Sequence, residues 1–193
     1  MKIFTVPNIL SSIRIVIAFT APFMLIDSSL KVRIGVGIVC FLAVLTDWFD
    51  GWYARKYNAE SKIGKLLDPI ADKALVLVVF SVLAYLDVLS FLWLIPIFLR
   101  EVIITTYRFI FLSKNIVVAA VKSGKIKTFM QMFTLGLAYT LFMINKHFPE
   151  YFSHYYWIAL YVCLSLTVFL TLQSGYDFFK NNWRLVKRVH NLV

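Results

Sequence analysis

Asp47-Trp-Phe-Asp50-Gly51-Trp-Tyr-Ala54-Arg55, followed after eight residues by Gly64-Lys-Leu-Leu-Asp68-Pro-Ile-Ala-Asp72, decides the reading of this sequence. The first half closes one strongly apolar segment and the second half opens the next. In a helix, positions 47, 50, 51 and 54 share one face by their i, i+3, i+4, i+7 spacing. Asp68 and Asp72 are one turn apart, about 6 Å of rise, and Gly64 lies a turn further back on the same face. The short stretch between the halves lets the two helices be neighbours with facing stripes.

Four carboxylates brought together in a low dielectric repel one another. At the edge of a bilayer they are costly unless something positive binds them. Two divalent cations would relieve the repulsion. Carboxylate oxygens suit Mg²⁺ or Mn²⁺, and two such ions about 3.5–4 Å apart suit phosphoryl chemistry. Gly51, Ala54 and Gly64 are small and lie on the same faces. They leave room either for a planar base or diphosphate, or for close approach of the helices themselves. A cap or a solvated charge accounts for one acid near a helix end, but not for four at fixed spacing.

The surrounding composition places this motif in a membrane. Of 193 residues, 61% are hydrophobic, against about 45–50% for a soluble domain. The expected fold is an all-α integral membrane protein, a single membrane-embedded catalytic domain over 1–193. It has six transmembrane helices at about 9–27, 34–54, 65–86, 91–111, 126–145 and 155–178. The opening, Lys2 and then the apolar run from Ile9 to Ile26, reads as an uncleaved first span: Arg14 interrupts it and no small-x-small site ends it. The segment from Asn181 to His190 reads as a short basic helix on the membrane surface.

The net charge of +10 would suggest nucleic acid in a soluble protein. Here the basic residues cluster between apolar spans, so topology and anionic lipid or phosphate ligands explain them, and no nucleic-acid partner is expected. Arg55, Lys56, Lys62, Lys65, Lys114, Lys122, Lys125 and Lys127 fall on one side, with Lys180, Arg184, Lys187 and Arg188 of the tail. The other side holds Lys31, Arg33 and Lys146. The positive-inside rule therefore puts both termini and the aspartate motif in the cytoplasm. Cys40 and Cys163 each lie in an apolar run and read as core thiols. His147, His154 and His190 are not spaced with the acids and take no part in the expected site.

The eight motif residues resemble the signature of the CDP-alcohol phosphotransferase family, D-x2-D-G-x2-A-R-x8-G-x3-D-x3-D, and match it without a gap. The signature covers 26 residues and is highly specific. The resemblance implies that Asp47, Asp50 and Asp68 hold the metals. Asp72 would take the proton from the acceptor hydroxyl while also contacting a metal, and Gly51, Ala54, Arg55 and Gly64 would line the CDP site. It also implies a homodimer in a bacterial cytoplasmic membrane, among membrane lipids. The expected chemistry is attack of an alcohol on the β-phosphorus of a CDP-activated group, with CMP leaving.

Further motifs narrow the acceptor. Pro7-Asn8-Ile-Leu-Ser11 with Arg14 is similar to an amino-terminal P-N-x-L-T-x-x-R of family members that use glycerol 3-phosphate or phosphatidylglycerol. Asn8 thereby joins the expected CDP-lipid site. Arg100-Glu101-x3-Thr105-x2-Arg108 and Gly124-Lys125-x-Lys127-Thr128-x2-Gln131 resemble elements of the members that use glycerol 3-phosphate. The implied substrates are CDP-diacylglycerol and sn-glycerol 3-phosphate. Charge within a span needs a partner. Arg108 and Lys125, with Lys127 and Arg100, therefore form a candidate clamp for a dianionic phosphate. Arg100 with Glu101 also reads as a structural ion pair, and the lysines also read as positive-inside charge. Arg14 serves either phosphates or anchoring. Three rivals stand beside this reading: phosphatidylglycerol as acceptor, a divalent-cation transporter, and a lipid-binding scaffold without activity.

Overall fold

The computed structural model describes the backbone of residues 6–26, 28–57, 64–114, 116, 122–151 and 153–190; within these, the side chains at 6–11, 47–57, 64–72, 122 and 188–190 are not described. Among the described residues there are six α-helices. They are α1 (Val6–Thr20), α2 (Leu30–Tyr57), α3 (Gly64–Tyr85), α4 (Leu94–Ser113), α5 (Lys122–His147) and α6 (His154–His190). Short 3₁₀ turns precede α2, α4 and α6 at Pro22–Leu25, Phe91–Trp93 and Pro149–Tyr151. The chain divides into two compact units, residues 1–89 and 90–193.

In the first unit α1 packs along α3 and against α2, while α2 and α3 touch each other only slightly. Pro22 stands at the first position of its 3₁₀ turn, where a missing N–H costs nothing. The turn is tied down from α2: the Arg33 guanidinium is buried, and its Nε donates to the Leu25 carbonyl at 3.2 Å. The core is a stripe of α3, Leu75, Val79, Phe80 and Leu83, together with Ala18, Leu25, Val36 and Ala43. The small Ala18 and Ala43 allow close helix approach.

The end of α3 shows how sequence stops a helix. Asp87 sits at φ 57°, in the left-handed region. The Asp87 N–H reaches the Ala84 carbonyl at 3.2 Å, and the Val88 N–H reaches the Leu83 carbonyl at 3.0 Å. This is the Schellman pairing, and Val88 and Leu83 are both buried.

The second unit holds α4, α5 and α6, with α6 packed against both of the others. Cross-helix contacts pair Thr134 with Thr167 and Gln131 with Thr171, so α5 and α6 run antiparallel. Trp93 meets Tyr161 and Tyr107 meets Phe179, so α4 and α6 run parallel.

Among the described residues, much of the exposed surface is apolar. Phe41, Phe98, Leu99, Phe133, Val162 and Phe169 are all exposed. A soluble monomer rarely shows apolar surface on this scale. Among the described residues, α6 is long and apolar enough to cross a membrane by length and composition.

Helix limits differ from the sequence expectation where charge lies inside a helix. α2 starts at Leu30 because Lys31 and Arg33 are helical rather than loop. α5 starts at Lys122 for the same reason. The expected separate surface helix at 181–190 is corrected: α6 continues unbroken to His190. Phe178, Asn182 and Val186 prolong its inward stripe and are buried. Phe178 and Val186 belong to one core cluster with Ile104 and Phe111 of α4.

Candidate active site

The expected metal and nucleotide residues lie on the three helices of the first unit. Asp47, Asp50, Gly51, Ala54 and Arg55 fall in the last three turns of α2. Gly64, Asp68 and Asp72 open α3, and Asn8 lies in the first turn of α1. Their side chains are outside the described residues, as is the connecting stretch 58–63.

The backbone register relates the acids in sequence to described positions of the same helices. Along α2, Asp47 comes four residues after Ala43 and eleven after Val36, both buried. Along α3, Asp72 comes four residues before Val76, seven before Val79 and eleven before Leu83, all buried. Asp50, Ala54 and Asp68 keep the same registers. The acids thus stand in the sequence at the end of α2 and the start of α3, where the chain joins the two helices.

A buried cation lies at the foot of the α2 stripe. Arg14 of α1 is 2% exposed, and its Nε donates to the Ala43 carbonyl at 3.1 Å. Ala43 is one turn before Asp47. A guanidinium inside an apolar helix joint is expensive, and the hydrogen bond to the Ala43 carbonyl offsets part of that cost.

The second unit carries the candidate acceptor cations. The α5–α6 seam changes character along its length. At one end Ala138 and Leu141 are buried with Leu160 and Leu164. Next come the Thr134 and Thr167 hydroxyls at 2.7 Å. One turn on, the Gln131 side-chain amide donates to Thr171 Oγ1 at 3.4 Å. A charged layer follows. Lys127 Nζ pairs with Glu101 Oε1, which also accepts from Arg100 at 3.2 Å. Arg100 bonds the Ser174 hydroxyl of α6 as well. Glu101, Lys127, Thr167, Thr171 and Ser174 are each at most 4% exposed.

A Cβ at Gly175 would stand 3.4 Å from Arg100 Cγ, so the glycine leaves room for the arginine stem. Arg100 Nε is a buried donor with no acceptor among the described residues. Arg108 lies on the same stripe of α4 as Ile97, Glu101, Ile104 and Phe111, all buried, yet its own side chain is exposed. Lys125 is exposed in the first turn of α5.

The four expected acceptor cations are therefore of two kinds. Arg108 and Lys125 reach the surface. Arg100 and Lys127 are internal and share one carboxylate. The sequence reading named Glu101 and Gln131 as motif members but did not single out Thr134, Thr167 or Thr171. Their signal was present as i, i+4, i+7 spacing of polar residues on α5 (127, 131, 134) and α6 (167, 171, 174).

Comparison with known proteins fits this arrangement. The family model described as CDP-alcohol phosphatidyltransferase matches residues 4–171, and the chain belongs to that family. Among its curated relatives, a protein of Bacillus subtilis is 36% identical over 162 residues, covering 83% of this chain and 80% of its own length. One from Rickettsia typhi is 35% identical over 175 residues, covering 90% and 94%. One from Shigella flexneri is 33% identical over 179 residues, covering 88% and 92%. All three carry the name CDP-diacylglycerol–glycerol-3-phosphate 3-phosphatidyltransferase.

Proposed function

We propose that this chain transfers a phosphatidyl group from CDP-diacylglycerol to a hydroxyl of sn-glycerol 3-phosphate, giving phosphatidylglycerophosphate and CMP. Its relatives bear the name of this activity over most of their length. The observation that carries the reading is the placement of the acids: in a chain of this family, one pair lies in the last turns of α2 and the other in the opening turns of α3.

Asp47, Asp50, Asp68 and Asp72 form an all-carboxylate donor set, which fits hard divalent ions such as Mg²⁺ or Mn²⁺. Bound there, a pair of such ions would neutralise the diphosphate and stabilise the departing CMP phosphate. The chain's own groups do the remainder. Gly51, Ala54 and Gly64 present no bulk to the cytidine, and Arg55 and Asn8 add polar contacts to the nucleotide. Asp72 accepts the hydroxyl proton as the acceptor oxygen bonds to the β-phosphorus and the bond from that phosphorus to the CMP oxygen breaks. Arg108 and Lys125 draw in the acceptor's phosphate by charge-assisted hydrogen bonds, and Arg100 and Lys127 add positive field from below.

In this reading all six helices span the membrane. Both termini and the active site face the cytoplasm, the membrane is the bacterial inner membrane, and the functional form is a homodimer. The exposed apolar surface and the parallel–antiparallel order of α4, α5 and α6 support that serpentine course.

The test is acceptor dependence in detergent. CMP release from CDP-diacylglycerol should require glycerol 3-phosphate and a divalent cation. Release that depends on phosphatidylglycerol and ignores glycerol 3-phosphate would reject this function. Cation flux into liposomes without any CMP would reject enzymatic activity altogether.

A further inference from the structure

We infer that Glu101 is a positioning residue for the acceptor site, acting through Lys127. This deepens the function proposed above and rests on its assignment of the basic residues to the acceptor.

The argument begins with connectivity. α4 and α5 each pack along α6. At the charged layer Glu101 of α4 takes Lys127 of α5, and the Gln131 amide approaches the same carboxylate oxygen at 3.5 Å. Glu101 is thus the side chain that joins α4 to α5, while Arg100 joins α4 to Ser174 of α6. All three helices are locked at one level.

Charge makes that level more than a spacer. Among the described residues, two cations share one anion in a buried setting. An apolar trio would fix the register without desolvating three charges. The layer also lies where the seam has become fully polar, two turns from Arg108 on the same stripe of α4 and two residues from Lys125 on α5. Glu101 therefore controls both the relative placement of the two helices bearing the exposed cations and the direction of the buried lysine.

Three variants test this against a merely structural role: Glu101→Gln, Lys127→Met and the double variant. Each is measured for KM of glycerol 3-phosphate, KM of CDP-diacylglycerol, kcat per folded protein, and thermal unfolding in detergent. We expect Glu101→Gln to raise the glycerol 3-phosphate KM at least tenfold while the CDP-diacylglycerol KM stays within twofold. The double variant should be no worse than Lys127→Met alone, because the glutamate works through the lysine. Glu101→Asp, which keeps the charge, should recover much of the affinity, and it carries the test if Glu101→Gln does not accumulate.

Thr134→Val, on the neutral part of the seam, is the structural control: it should unfold earlier with both KM values unchanged. An unchanged acceptor KM in Glu101→Gln, strictly additive effects with Lys127→Met, or equal shifts in both KM values would overturn the positioning role. Arg108→Ala is run alongside. If it alone leaves the acceptor KM unmoved, the assignment of Arg108 fails while the result for Glu101 stands.

Discussion

At Asp72, exchanging one oxygen for a nitrogen should separate binding from turnover. Asp72→Asn keeps the size and a carbonyl oxygen but removes the proton acceptor, so kcat should fall by about 10²–10⁴-fold, the usual worth of a general base. CDP-diacylglycerol binding should survive, read by equilibrium binding of the labelled lipid. Full turnover in Asp72→Asn would take the base role away from this residue. Arg108→Ala belongs to the same scale. A charge-assisted hydrogen bond is worth about 1.5–3 kcal/mol, so the acceptor KM should rise by roughly 10- to 100-fold. High salt should weaken wild-type acceptor affinity in the same direction, because Arg108 and Lys125 are exposed and screened.

Helices show which sequence signals were sufficient. α3 was expected at 65–86 and is found at Gly64–Tyr85, because its apolar stripe is unbroken and Asp87 supplies the stop. Asp tolerates the left-handed region but Gly is better suited to it. Asp87→Gly should therefore raise the thermal unfolding midpoint in detergent, by about 0.5–1 kcal/mol of stability. A drop would mean that the Asp87 side chain contributes more than its backbone strain costs. α6 was read too short, for a physical reason: hydropathy falls at Lys180, so a span seems to end there. The buried spacing of Phe178, Asn182 and Val186 persists regardless, and α4 supplies the surface that it covers. Arg33 misled in the opposite sense. A charge was counted as loop, whereas its guanidinium is buried on the Leu25 carbonyl.

For the whole molecule, the aspartate signature was legible because it is a pattern of residue types along the chain. The charged layer of the second unit was only half legible. Arg100, Glu101, Lys127 and Gln131 were visible as motif letters, but Thr171, the partner of Gln131, and Ser174, the partner of Arg100, come from a helix that begins 27 residues after Lys127, and only tertiary packing joins them. The proposed topology makes a prediction at this scale. In a background without Cys40 and Cys163, cysteines introduced at the exposed positions Lys125 and Lys180 should react with an impermeant reagent from the cytoplasmic side. A cysteine at the exposed Lys146 should react from the opposite side. Labelling of all three from one face would overturn the serpentine course.

The graded α5–α6 seam also bears on how the protein floats. A seam that is oily at one end and charged at the other cannot be slid deeper into the hydrocarbon without dragging charge along. Its waterline is therefore set from within. In bilayers of different thickness the lipid should deform around a bundle of fixed draught, and the reaction should stay at the same height above the acyl chains.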